Sequence, residues 1–415
     1  MEFLSDRSSK QRFITTYFAF IANGMLALSV GSLLPFIRDA RGLNYAFAGL
    51  IVSLHSVGNF CSSFFSGILA ASIGRKRSIL LFDICFPVAY LLIIAGRGNF
   101  LIALAFLLTG LARGANSNYC NAVINELAPG KAWILNGLHA MFSVGAFLFP
   151  IILTLITKND PARWVIACGF MLVMGILSFT LYAICPQGET NASVDQNGTE
   201  KTLDSDETNG KKTEPENKIT DDIEIDKGFG FFKEKIFWIT ILTLFFYLCA
   251  EQGVIGWMVT YFTDTGFISK SLSQLTASIL WIMMLTGRLL VAWASTRVDK
   301  RKLLPIMGIG IVFFFILLLF ARSAALIVVC IMGFGFSMAG IYPTTVSFTG
   351  KLIRKYSLAW SFILTMASFG SILMPSIIGH IAENAGIYYG ICSDAAAVVL
   401  DFICILALVR VSKET

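Results

Sequence analysis

Phe142–Ile152, FSVGAFLFPII, and Ala367–Ile377, ASFGSILMPSI, lie 225 residues apart and match at Ser143/Ser368, Gly145/Gly370, Leu148/Leu373 and Pro150/Pro375. A second pair shares that offset. GILAASIGRKRSILL (Gly67–Leu81) aligns with AWASTRVDKRKLL (Ala292–Leu304), setting Arg75-Lys76-Arg77 against Lys300-Arg301-Lys302 ahead of an apolar run in both. Two matches at one offset mark a duplicated unit. All four segments border or lie in long apolar stretches, so the repeated unit is a set of membrane helices. Two such halves in parallel enclose a solute site near the bilayer midplane in a known class of architecture.

The composition agrees. The 415 residues are 56% hydrophobic and only 14% charged, with a mean hydropathy of +0.74, too few charges to cover a soluble protein of this size. A membrane-crossing helix needs ~20 mostly apolar residues. Twelve stretches qualify: 13–37, 47–71, 78–97, 100–126, 133–157, 164–185, 236–262, 271–293, 303–321, 323–348, 358–382 and 388–409. The expected fold is an all-α membrane protein, with twelve transmembrane helices in two pseudo-symmetric six-helix bundles, 1–185 and 233–415. Between them, 186–232 is polar, with twelve acids against five lysines up to residue 228. It is expected to be a disordered acidic linker in the cytoplasm.

Lysine and arginine in the short loops set the orientation. With the N-terminus in the cytoplasm, cytoplasmic segments hold 18 of them and outer loops hold seven. Both termini are therefore expected inside, in a multi-pass protein of the cell's inner membrane. These positives are read as topology signals, not as a nucleic-acid surface. Asn191-Ala-Ser and Asn197-Gly-Thr fit the glycosylation pattern but fall in the cytoplasmic linker, as chance matches. The first apolar run carries no cleavage site, so an uncleaved first helix is expected. All nine cysteines lie in apolar stretches without a C-x-x-C pair and read as small buried apolar groups.

Gly67-x6-Gly74-Arg75-Lys76 resembles the loop 2–3 signature of the major facilitator superfamily, G-x-x-x-D-R-x-G-R-[KR], departing from it at Ala71 and Ser72. Within it, the chain is similar to the fucose:proton symporters and the wider hexose-transporter branch. The residues that carry this are Leu135-Asn136-x-x-His139-x-x-Phe142-x-x-Gly145-Ala146-x3-Pro150, Glu251-x4-Gly256-Trp257-x-x-Thr260-Tyr261, Gly333-x-Gly335 with Tyr342-Pro343-Thr344, and Gly370-x4-Pro375-x3-Gly379. The fucose symporters carry acids in helices 1 and 4. Here Arg113 stands at the helix 4 position and helix 1 has Asn23. The resemblance implies that Gly74, Arg75, Lys76, Asp83, Glu126, Arg288 and Arg297 serve conformational gating, for example through Arg75 pairing with Asp83 or Glu126. Simple positive-inside anchoring also accounts for the basic ones.

A charge at the bilayer centre costs about 2.5–3.5 kcal/mol on insertion scales, so each needs a reason. Asp83, Arg113, Glu251 and Arg288 lie deep in spans, and Glu126 and Asp401 nearer span ends. Glu251, half-way along the seventh span in YLCAEQGVIGWMVTY, is the first candidate for ion coupling, since a carboxylate in a cavity can load and release a proton. Gly253 and Gly256 beside it permit a bend. The competing reading makes Glu251 a fixed partner of Arg113 or Arg288. Arg113 in turn is either a solute ligand or a counter-charge, and if paired it would be freed when Glu251 takes a proton.

In the fourth span Gly114, Ser117, Asn118, Asn121 and Asn125 share one face, as do Asn136, His139 and Ser143 in the fifth. Amides both donate and accept, which suits sugar hydroxyls. Asn118, Asn121, His139 and Gln252 are the candidate polar contacts to solute, with Trp257, Trp281 and Tyr342 as stacking surfaces. Packing between helices is the alternative for each.

No Walker-type phosphate loop, H-E-x-x-H, nucleophile elbow or Cys/His cluster occurs, so neither an enzyme, nor a cofactor, nor a metal site is expected. The sequence reads as a monomeric secondary transporter, with cation-coupled (proton) uptake of a sugar or similar small hydroxylated solute. The alternatives are a proton-driven exporter of apolar compounds and a non-transporting solute sensor.

Overall fold

The computed structural model describes residues 6–129, 131–186, 229–356 and 358–412. Most of the expected linker, both glycosylation patterns included, lies outside the described residues. Among those described, twelve helices are long and apolar enough to cross a membrane. They are α1 Arg7–Arg41, α2 Tyr45–Ile73, α3 Arg75–Ala95, α4 Asn99–Leu127, α5 Trp133–Thr157, α6 Pro161–Ile184, α7 Lys235–Thr265, α8 Lys270–Ala294, α9 Lys300–Phe320, α10 Ala324–Phe348, α11 Ala359–Ala385 and α12 Ile387–Val411. Several outrun the apolar stretches, α1 by six residues at its start and four at its end. Hydropathy reads only the part in hydrocarbon, whereas the polar ends continue as helix until a cap intervenes. Asp6 caps α1 by accepting from the Ser9 amide, and hydrogen bonds from the Ser9 side chain and then its amide hold the carboxyl below the usual range. Gly42, in the left-handed conformation, ends the helix.

The packing repeats with the sequence. In the first half α1 lies on α5 and α2 on α4; in the second, α7 lies on α11 and α8 on α10. The halves meet along α2–α11, α5–α8 and α1–α7. Within each half, glycines make the close contacts at equivalent positions. A Cβ at Gly110 would strike the His55 carbonyl, and one at Gly335, 225 residues on, the Leu280 carbonyl; Gly145 meets Ile21 and its counterpart Gly370 meets Phe245. Helices in lipid gain little from burying apolar groups against each other, so such close backbone approach is what holds them together. Both seam helices α5 and α11 contain a proline, Pro150 and Pro375.

α1 is the most enclosed helix. Exposed apolar side chains run along the third helix of each triplet: Leu91 on α3, Val173 on α6, Phe313 on α9 and Ile403 on α12. Such surfaces suit lipid, not water. All nine cysteines are free.

Two local features differ from sequence expectation. α7 runs unbroken from Lys235 to Thr265, with no break at Gly253 or Gly256. They admit neighbours instead, Gly253 the Asp394 carboxyl and Gly256 the Val52 side chain. Residues Phe229–Phe232, just ahead of α7, are packed as well: Phe231 is fully buried, its ring 4.9 Å from that of Phe237 and 5.8 Å from that of Tyr356.

Candidate functional site

A cavity of about 970 Å³ lies between the halves. α5 contributes Asn136 and His139, α7 Tyr247 and Glu251, α8 Arg288, and α10 Tyr342 and Thr344. Its mouth is formed by Ser295, Asp299 and Lys300 at the α8–α9 connection and by Ser347. That is the face where α1 begins and α12 ends, since Arg301 donates to the Ser412 carbonyl at 2.9 Å. Lys300 donates to the Ser347 carbonyl at 2.8 Å and lies over the Phe348 ring. The cavity is thus open towards the face that carries the ends of the described chain.

The opposite face is shut by contacts between the halves. Arg38 at the end of α1 pairs with Asp264 at the end of α7, with only 11% and 13% of the two side chains exposed. Tyr45 donates its hydroxyl to Asp264 at 2.8 Å and its amide to Glu383 of α11 at 2.8 Å. Deeper, Ser53 and Ser376 share a hydrogen bond of 2.8 Å and Ser278 donates to the Phe147 carbonyl at 2.8 Å, while within the second half Trp257 of α7 donates to the Pro375 carbonyl of α11 at 3.0 Å. None of the gating residues proposed from sequence belongs to this set. Arg38 counted only as a loop charge, and nothing local in the sequence joins positions 38, 45, 264 and 383.

At the inner end of the cavity, Glu251 accepts from the Tyr247 hydroxyl at 3.2 Å. Arg288 lines the same cavity, and Arg113 lies in the middle of α4. Neither makes an ion pair with it: those found among the described residues all lie elsewhere. The Arg113 Nε is buried without a hydrogen-bond partner. Arg288 lies 5.9 Å from the Trp281 ring. The fixed Glu251–arginine pair weighed from sequence is absent from this arrangement.

The other candidates divide. His139, Tyr342, Glu251 and Arg288 line the cavity. Trp281 is buried next to it, its ring 5.6 Å from that of Phe142 and its Nε1 unpartnered. Gln252, next to Glu251, is half-buried. Asn121 donates to the Ser117 carbonyl of its own helix at 2.8 Å. Asn118 points elsewhere, donating to the Ser63 carbonyl and, at 3.0 Å, to the Ser66 hydroxyl of α2; it ties α4 to α2. Trp257 is fully buried in the closed seam, not in the cavity wall. Helix depth is legible from sequence, but which way a residue faces is fixed by packing.

Among the gating candidates, Arg75 and Arg12 both pair with Glu126, joining α1, α3 and α4 within the first half. Asp83 is not Arg75's partner; it is buried and accepts from Ser178 of α6 at 3.2 Å. Gly74 adopts φ +88°, a left-handed conformation that side chains resist, and so turns the chain between α2 and α3. Lys76 is exposed, and exposed Arg297 lies 4.2 Å from the Trp293 ring. Two further acids belong to the interior. Asp394 and Asp401 on α12 are wholly buried, with no hydrogen-bond partner for any of their carboxyl oxygens, and Asp401 is not near a helix end.

Among the described residues, twelve spanning helices in two related halves around a central cavity make the architecture of a membrane transporter. The sequence profile of the Major Facilitator Superfamily matches residues 14–373 and 268–415, and the chain belongs to that superfamily. It is 21% identical over 398 residues to the protein TsgA homolog of Yersinia pseudotuberculosis serotype O:1b (strain IP 31758), covering 95% of this chain and 93% of the relative. Similar solved structures are the nucleoside transporter NupG (TM-score 0.74, 14% identity, 97% of this chain and 99% of the other) and a D-xylose-proton symporter (TM-score 0.71, 14% identity, 97% of each). A bacterial homolog of the human lysosomal transporter Spinster, inward-facing and occupied, gives a TM-score of 0.69 at 13% identity, covering 99% of this chain and 98% of the other.

Proposed function

We propose that the chain is a proton-coupled secondary transporter that takes up a small hydroxylated solute across the inner membrane by alternating access. The observation that carries this reading is the cavity between the halves, open at one face and ending at Glu251, while the other face is closed by Arg38, Tyr45, Asp264 and Glu383. The bias of basic residues puts the cavity mouth and both termini in the cytoplasm, which makes this the inward-open state. Rocking of 1–185 against 233–415 would break the closed set and shut the mouth. The groups within reach of a solute, Asn136, His139, Tyr247 and Tyr342, suit hydroxyls. A proton moving with the solute would load on Glu251. The relatives include a symporter for D-xylose and protons and a transporter for nucleosides, both polyhydroxylated cargo.

Proteoliposomes with an imposed pH gradient test it. Accumulation of a hydroxylated solute driven by the gradient is expected. Efflux of lipophilic dyes instead would make the chain an exporter, and binding without flux would make it a sensor. Labelling of Ser412→Cys from the outside of intact cells would overturn the orientation.

A further inference from the structure

A second cavity, of about 320 Å³, lies at the shut face, opposite the mouth of the first. Its walls come from both halves: Phe36 and Asp39 at the end of α1, Trp164 of α6, Thr263 at the end of α7, and Lys270 and Gln274 at the start of α8. It adjoins the contacts that hold this face closed. Asp39 accepts from Arg38 at 2.9 Å, and Thr263 directly precedes Asp264. Gln274 is 3% exposed, and its Oε1 is buried without a hydrogen-bond partner among the described residues. Buried polar atoms are nearly always partnered, so an idle amide in a pocket wall points to a partner from outside the chain.

The rest of the wall says what that partner is. Phe36 and buried Trp164 offer apolar ring surface. The two charged groups of the rim, Asp39 and Lys270, are exposed and opposite in sign, so they select no net charge. Small-molecule pockets start at about 300 Å³, which makes this one the size for a single-ring compound.

We propose that this cavity is a binding site for a small uncharged aromatic amide, and that its occupant locks the face shut. The ring lies against Phe36 and Trp164, and the amide pairs with that of Gln274, which presents a donor or an acceptor as it turns about its last bond. The lock follows from the walls. α1 and α6 belong to one half and α7 and α8 to the other, so opening this face takes the site apart. A ligand that binds one of two states shifts the balance towards it by its differential affinity. Such a molecule inhibits without occupying the solute cavity. The lock rests on the alternating-access reading; the binding does not.

Saturation-transfer NMR on the purified full chain in detergent, with benzamide as the probe, tests the site. Benzamide is expected to bind with a dissociation constant of roughly 1 mM, as its few atoms allow. Benzoate and benzylammonium, the same ring with either charge, should bind less well. Gln274→Leu, similar in size, should weaken benzamide binding about three- to tenfold, the worth of one hydrogen bond. Ala162→Phe puts a ring into the pocket from an exposed position and should abolish binding with little change in melting temperature. Undiminished binding in either variant, or no binding at all, overturns the site and leaves the transport reading standing. Stronger binding of either charged probe overturns the amide assignment. The lock is read separately, as the rate at which Ser53→Cys, beneath the same face, reacts with a membrane-impermeant maleimide in the Asp264→Asn background. Saturating benzamide should slow that reaction by about threefold or more, and Ala162→Phe should cancel the effect. An unchanged rate with benzamide bound overturns the lock. No reaction under any condition would count against alternating access, while the NMR result still decides the site.

Discussion

Glu251 makes no ion pair among the described residues, so removing its charge does not orphan a bound arginine. Glu251→Gln keeps the size and the contact with Tyr247. It is expected to fold, to exchange solute, and to lose uphill transport: a one-unit pH gradient supports about tenfold accumulation per coupled proton, and the variant should show none. Comparing net accumulation with counterflow in vesicles checks this; loss of both together would argue for a structural role. At this scale the sequence was informative wherever a polar residue interrupts an apolar run, which brought Glu251, Arg288, His139 and Tyr342 into view. It was misleading for Asn118 and Trp257, whose donors are spent on Ser63, Ser66 and Pro375. Depth along a helix can be counted, whereas its rotation depends on partners far away in the chain. Asp394 was overlooked because CSDAAAVVL, Cys392–Leu400, reads as the ragged start of a span, yet it abuts Gly253 in the interior.

Helices in this molecule are held by proximity of backbones at few points, and these points are testable. Gly110→Val or Gly145→Val would drive a side chain into a neighbouring helix's carbonyl, an overpacking cost of about 1–3 kcal/mol, and should lower the melting temperature in detergent. Gly67→Ala meets nothing within 4 Å and should leave it unchanged or slightly higher. Equal behaviour of the three variants would refute the assignment of close contacts. The twelve elements themselves were legible because each must satisfy its own backbone within hydrocarbon, which leaves an unmistakable apolar length. Their polar extensions were not, because caps such as Asp6 and Gly42 act beyond the apolar run. Nor was the continuity of α7: glycine permits a bend, but at Gly253 and Gly256 it permits an approach.

At the level of the whole molecule, the closed face depends on few polar contacts. Asp264→Asn keeps the shape and removes the charge that Arg38 and Tyr45 share, with an expected loss of about 1.5–3 kcal/mol for the closed arrangement. A tenfold or greater rise in the population open at that face follows. Ser53→Cys, 5% exposed beneath that face, should then react faster with a membrane-impermeant maleimide in the Asp264→Asn background. An unchanged rate would show that Arg38 and Asp264 do not hold the face shut. The duplication was readable from two short matches, and with it the pairing of the halves. The closure was not, because its members come from four separate helix ends with no shared motif.

Pro150 and Pro375 occupy corresponding places in the two helices that run along the seams. A proline ring carries no amide hydrogen, so each helix lacks the rung that would have bound the carbonyl one turn back, at Ala146 and Ser371. The two levers of the machine therefore have a soft spot at the same height. Whatever flexing one seam undergoes during a cycle, the other is built to mirror, and stiffening only one of them would leave the stroke lopsided.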